Sequence, residues 1–327
     1  MTDSSAIAKR KRRWLRFTMR TFFGLLTVFC VSLGWLTHRV NQQRQAVQWI
    51  KEHRGAVIYR YQVDDNGFAK LTPNPTGPDW LCEAVGIDYF ETIVGVNLGN
   101  TSVSDVTPLA RLKNLKWLDL DKTQVADVTS LANLTNLRTL NLSFTQISDV
   151  TPLANLTNLE LLYLNYTQVI DATPLSKLRK LQNVGLEGTQ ISDLSPLEGM
   201  TDLELLYLDS TQVADLLPLK QSTNLEWLYL GNTSVDDLTP LCNLKQLTWL
   251  NLSNTRVVDV SPLSSLTKLE ILHLRNTDVA DVRPLANLTN LETLHLSGTK
   301  VRSEDCDMLQ QKLPRLSLER PGLNNKR

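Results

Sequence analysis

The stretch "NLEWLYLGNTSVDDLTPLC", Asn224 to Cys242, decides the fold. Leu225, Leu228 and Leu230 follow L-x-x-L-x-L spacing, the period-2 signature of a short strand with one buried face. Trp227 and Tyr229 occupy the alternate positions and point the other way. The threonine that follows, Thr233, ends the strand. "DDLTPL" then reads as a turn into a tight helical segment, capped by Ser or Thr, opened by Pro, with its leucines inward.

The same text recurs at a fixed interval. Threonine stands at 101, 123, 145, 167, 189, 211, 233, 255, 277 and 299, always 22 residues apart. Two residues on, every unit has Val or Ile, from Val103 to Val301. Four on, the first nine have Asp, from Asp105 to Asp281, and eight of those nine have Pro three residues later, with Ser130 the exception. Such a unit cannot bury its own apolar face, so its copies must stack. The threonine hydroxyls are expected to bond the next unit's backbone as a ladder. The aspartates are expected to close Asx turns ahead of the prolines. Calcium is the alternative for that acidic column, but it wants six to eight oxygens and each unit offers one carboxylate.

The motif LxxLxLxxTxV, as in Leu225 to Val235, resembles the leucine-rich repeat family. The 22-residue period and the "[ST]-P-L-x-x-L-T-N-L" segment are similar to the internalin type of bacterial surface repeat, with Thr where that type has Asn. The resemblance covers residues 93–318 and implies an α/β repeat solenoid. In it a parallel sheet lines the concave side, short 3-10 helices line the convex side, and ligands bind the concave face. With the basic N-terminus and one span, the chain also resembles membrane-anchored envelope proteins of planctomycete bacteria. Eleven strands at ~4.8 Å each make a sheet about 50 Å long.

The organisation predicted along the chain has six parts. Residues 1–20 form a basic cytoplasmic arm, 21–37 a transmembrane helix, and 38–78 a juxtamembrane helix, short strand and loop. Residues 79–92 form an N-terminal cap, 93–318 the solenoid with its C-terminal cap, and 319–327 a tail. Thr21 to Thr37, "TFFGLLTVFCVSLGWLT", carries no charge. As a helix it is about 25 Å long, at the short end of what spans a bilayer. Seven of the first twenty residues are basic and one is acidic. The positive-inside rule therefore keeps the N-terminus cytoplasmic and sends the body across, as a single-pass signal-anchor with Trp14 and Trp35 at the two interfaces. A cleaved signal peptide is the rival, with Ser32-Leu33-Gly34 as its small-x-small site. Beyond residue 20, 27 basic side chains face 33 acidic ones. That mildly acidic body excludes nucleic acid as a partner. Four cysteines, 30, 82, 242 and 306, make no disulfide framework and are expected to be free and mostly buried.

No nucleophile–base pair, phosphate loop or zinc spacing stands in the sequence, so neither an enzyme nor a cofactor is expected. His273 and His295 are neighbours by period but lack a third metal ligand. The side chains alternating with the strand leucines carry the candidate site. The first column runs from Gly95 and Trp117 to Trp227, Trp249, Ile271, Thr293 and Arg315. The second holds Tyr163, Tyr207, Tyr229, His273 and His295, and the third holds Glu187 and Asp209. Trp117, Tyr163, Leu205, Tyr207, Asp209, Trp227, Tyr229, Trp249, Ile271 and His273 are the expected ligand-binding residues. An apolar patch with a polar rim on an open face suits a protein or peptide ligand. The alternative is a passive scaffold or spacer of the envelope, whose aromatics only stiffen the sheet.

Overall fold

The computed structural model describes residues 19–63, 70, 75–87 and 90–322. The basic arm through residue 18, with Trp14, most of the loop at 64–74 and the last five residues lie outside them. One twelve-stranded sheet runs the length of the molecule in strict sequence order. Strand β1 (Ala56–Tyr59) pairs antiparallel with β2 (Ile93–Asn97). The others follow in parallel: β3 (Trp117–Asp119), β4 (Thr139–Asn141), β5 (Leu161–Tyr163), β6 (Asn183–Gly185) and β7 (Leu205–Tyr207). Then come β8 (Trp227–Tyr229), β9 (Trp249–Asn251), β10 (Ile271–His273), β11 (Thr293–His295) and β12 (Ser317–Glu319). Between strands the chain returns through short 3-10 segments such as Thr107–Arg111 and Arg283–Asn287, with Pro in the first turn. The leucine, valine and isoleucine columns of all units merge into one dry core, most of it fully buried.

Local hydrogen bonding explains the repeat's polar letters. Each Asp of the column accepts from the backbone N–H two residues on, at 2.7–2.9 Å, from Asp105–Thr107 to Asp281–Arg283. The Asx reading is therefore correct. The cap, however, is the aspartate and not the Ser or Thr, which is itself the first residue of the 3-10 turn. Ser195 and Ser261 even donate their hydroxyls to the same carboxylates. The threonine ladder is corrected as well. Every Thr Oγ1 from Thr101 to Thr299 donates to the leucine carbonyl three residues back in its own unit, at 2.6–2.8 Å. The chain turns sharply just before it, with Asn100, Lys122, Phe144, Tyr166, Ser210, Asn232, Asn254 and Asn276 at φ 53–59°, which brings that carbonyl within reach. Asparagines supply side-chain links between units: Asn136, Asn158 and Asn290 donate to carbonyls of the preceding unit.

The apolar run and the juxtamembrane helix form one continuous helix, α1 (Met19–Glu52). Its first half leaves Phe22, Phe23, Leu25, Val28, Phe29 and Trp35 exposed. It is long and apolar enough to cross a membrane. Its second half buries Val40, Ala46, Val47 and Ile50. The last three join the core at the open end of the first repeat. Arg54 at φ 59° stops the helix, and Gly55 N–H bonds the Ile50 carbonyl. A Cβ at Gly55 would lie 2.5 Å from Leu98 Cδ2, so only glycine lets β1 start there. The first unit is thus covered by α1 and β1. The segment expected as its cap holds helix α2 (Asp79–Val85), exposes Trp80 and packs Ile87 against the core. At the other end, helix α3 (Ser303–Lys312) buries Cys306 and Leu309.

The four cysteines are free, as expected, but only Cys306 is buried. Cys82 and Cys242 are half-buried and Cys30 is exposed on the apolar half of α1. Cys242 takes the fourth place of its 3-10 segment, a position that faces the convex surface rather than the core.

Candidate recognition face

Each three-residue strand buries its central leucine or valine and offers its two flanking side chains to the open face. Parallel in-register pairing stacks those side chains unit upon unit, Leu205 beside Trp227 beside Trp249 beside Ile271. From β7 to β11 the rings form a ladder. Tyr207 stacks on Tyr229 at 4.6 Å between centroids, and Tyr229 lies 5.8 Å from Trp249. Trp249 meets His273 edge-on at 5.4 Å, and His273 stacks on His295 at 4.3 Å. Trp249 belongs to the first column and the other four to the second. Its indole leans across the gap left by Asn251, whose amide is drawn instead to Asp209 Oδ1 at 2.9 Å. Trp249 Nε1 is buried there without an acceptor.

Trp227 stands apart from this ladder. It is the most exposed aromatic of the sheet face, at 38%, while Leu205 beside it is 9% exposed. Eight of the expected residues therefore gather in four adjacent units, seven on strands β7 to β10 and Asp209 in the turn after β7: Leu205, Tyr207, Asp209, Trp227, Tyr229, Trp249, Ile271 and His273. Two do not. Tyr163 is separated from Tyr207 by Gly185 on the intervening strand. Trp117 lies four strands away, packed over Gly95 beside Ile58. Arg315 is also displaced from the first column. The final unit pairs Thr293 with Ser317 and His295 with Glu319, two residues beyond the 22-residue register. The ten-residue α3 replaces a five-residue 3-10 turn and shifts the strand that follows.

That shift sets the charge at the far end of the face. Glu319 now adjoins His295 at 3.8 Å and pairs with Arg275 at 2.6 Å. Burial, with His295 and Arg275 beside it, pushes His273 down to about 4, and burial also lowers His295. The His273 imidazole is therefore neutral at pH 7. Burial raises the phenols of Tyr207 and Tyr229. Asp209 is pushed up to about 6, first by burial and then by Glu187, against the bonds it accepts from Gly231 N–H and Asn251. Asp209 is not a free rim acid but a bracket between units. A Cβ on residue 231 would sit 2.6 Å from its Oδ1, which is why Gly231 stands there. Among the described residues no three His, Cys, Asp or Glu side chains gather to hold a metal ion.

Two aromatics escaped the strand-based reading. Phe144 and Tyr166 occupy the left-handed turn position before the threonine column and stack on each other at 4.6 Å. Lys122 lies 5.2 Å over Phe144, and Tyr166 donates to Glu187. Aromatic residues in a column otherwise filled mainly by Asn and Gly were the available signal.

Similarities to known proteins follow the same lines. The family model for leucine rich repeats (2 copies) matches residues 135–180, 245–287 and 267–311. Internalin C2 of Listeria monocytogenes is 36% identical, with 62% of this chain and 80% of that one covered and a TM-score of 0.52. A leucine-rich repeat protein of Leptospira interrogans is 23% identical over 68% of this chain and 59% of its own, with a TM-score of 0.64. A plant peptide hormone receptor, solved in complex with RGF2, is 17% identical over 66% of this chain and 37% of its own, with a TM-score of 0.55. The last two share the fold alone. Among curated proteins, none is similar enough in sequence to match.

Proposed function

The chain belongs to the leucine-rich repeat family, in its internalin type, and on that premise we propose that it is a membrane-anchored recognition protein that binds a protein or peptide on its concave face. The single observation behind this reading is Trp227, a large aromatic left exposed amid an uncharged strip of rings and aliphatics. Desolvating such a strip on binding is favourable, and Trp and Tyr dominate interface hot spots. Glu187, Arg275 and Glu319 at the margins supply the polar rim. Peptide recognition by the plant receptor is a property of that protein, and it is consistent with this use of the fold. The apolar half of α1 anchors the chain, with the repeats outside the cytoplasm. Its exposed phenylalanines and leucines support the span, since they have no protein surface to cover them, and the seven basic residues among the first twenty support the orientation.

A passive scaffold would use the same rings only to stiffen the sheet. Trp227 and Trp249 separate the two readings because their surroundings differ. Trp227→Ala removes an exposed ring and should lower stability by no more than about 1 kcal/mol, while weakening partner capture from membranes by about 2 kcal/mol or more. Trp249→Ala breaks two ring contacts and should cost both. The assay is thermal melting of the full chain beside crosslinked pull-down from membranes. Undiminished capture by Trp227→Ala would favour the scaffold.

A further inference from the structure

The body is acidic overall, yet its membrane-proximal end is not. Directly beyond the apolar run, α1 and the first repeat enclose a pocket of about 370 Å³. Trp35, His38 and Arg39 line it from α1, Arg111 from the end of the Thr107–Arg111 3-10 segment, and Lys113 and Asn114 from the turn after it. A second hollow of about 310 Å³ adjoins it, sharing Arg39 and Asn114 and adding Arg60 and Lys116. Among the described residues no carboxylate lines either one. Glu91 lines an adjoining cleft that shares Arg39, Gln43 and Thr92, and its carboxylate there accepts from the Thr76 N–H and hydroxyl. The sequence places only His38, Arg39 and Arg44 near the end of the run. Folding brings the other cations there because the second half of α1 docks on the first repeat.

We propose that this pocket binds the phosphate headgroup of an anionic phospholipid in the leaflet on the repeat-domain side. The assignment rests on the reading of residues 21–37 as a span, which sets the depth. Thr37 ends the uncharged run and His38 and Arg39 follow at once, so the pocket mouth lies at headgroup level. Arg39 is held over the Trp35 ring at 5.8 Å, an aromatic–cation pair suited to the interface. Arg111 is steadied by Gln45 at 2.5 Å, leaving the rest of its guanidinium to take phosphate oxygens. Acyl chains would run along the exposed Leu33 and Leu36. A free phosphate would use the same cations but gain nothing from that apolar flank.

The test is native mass spectrometry of the full chain in detergent, with equal phosphatidylglycerol and phosphatidylcholine. The wild type should retain the anionic lipid by about tenfold or more over the zwitterionic one. Arg39→Gln/Arg111→Gln/Lys113→Gln should bring the two to parity. Lys113→Glu serves as a second variant, because among the described residues the Lys113 side chain makes no bond and its loss leaves the Arg111–Gln45 contact intact. Millimolar inorganic phosphate is the competing arm, and displacement of the lipid by it would reassign the pocket to a soluble anion. Equal retention of both lipids, or a preference that both variants keep, would overturn the proposal. Carbonate extraction of native membranes distinguishes the underlying reading. A chain that resists extraction but shows no lipid preference sinks only the pocket, whereas a chain released by carbonate sinks the anchor and the pocket together.

Discussion

Ser222 interrupts a column of buried leucines and methionine, and replacing it should stabilise the protein. Its equivalents Leu178, Met200, Leu244 and Leu266 are all at most 1% exposed, and Ser222 is itself fully buried. Its hydroxyl finds no hydrogen-bond partner. The backbone has not rearranged to suit it: φ −79° and ψ 59° at Ser222 compare with −81° and 65° at Leu244. Ser222 N–H bonds the Leu219 carbonyl at 2.9 Å, as Leu244 N–H bonds that of Leu241. Burying a leucine side chain contributes about 1.5–3 kcal/mol. Removing an unsatisfied hydroxyl relieves about 1–3 kcal/mol. Neighbours that have moved in would oppose this by about 1–3 kcal/mol through overpacking. The expected net gain for Ser222→Leu is about 2 kcal/mol, or about 4–8 °C in melting midpoint for a domain of this size. Thermal melting of the full chain followed by circular dichroism measures it, with Ser222→Ala as reference. A lower midpoint for Leu with Ala unchanged would mean that the space is already filled. A lower midpoint for both would mean that the hydroxyl has a partner. Either result refutes the reasoning.

The ladder should respond to pH in a way that two substitutions separate. His273 takes its proton near 4 when folded and near 6.5 when unfolded, so its stabilisation is complete above about 6.5 and declines as pH falls through that window. Asp209 has the opposite sign: its folded value of about 6 lies above the usual 3.8, so its contribution is complete below about 4 and is lost as pH rises towards 6. Between pH 4 and 6.5, His273→Gln should therefore leave melting midpoints that fall with rising pH, and Asp209→Asn midpoints that rise; identical profiles would refute the assignment. Gly231→Ala puts a Cβ 2.6 Å from Asp209 Oδ1 and should cost about 1–3 kcal/mol, whereas an unchanged urea midpoint would show that the bracket between units is loose. Thiol labelling at Cys242 should succeed only from outside the cytoplasm, and labelling from the cytoplasmic side would reverse the topology.

The sequence by itself determined the solenoid, because no unit of 22 residues can bury its leucines alone and any stack that does so must align equal positions. From that alignment came the strands, the core columns, the Asx aspartates and the outward course of Trp227 and Tyr229. Period alone could not say which partner a polar side chain chooses. Thr233 reaches back to the Leu230 carbonyl because of the left-handed turn at Asn232, and Asp209 reaches forward because Gly231 leaves room. Nor could it see where the period fails. The longer turn through α3 moved Glu319 beside His295 and Arg315 out of its column. The packing of α1 on the first repeat gathered Arg39, Arg60, Arg111 and Lys113 from three separate stretches of chain. Repeats fix what lies next to what within the stack, but docking at its ends joins surfaces with no shared period, and only the tertiary structure decides those contacts.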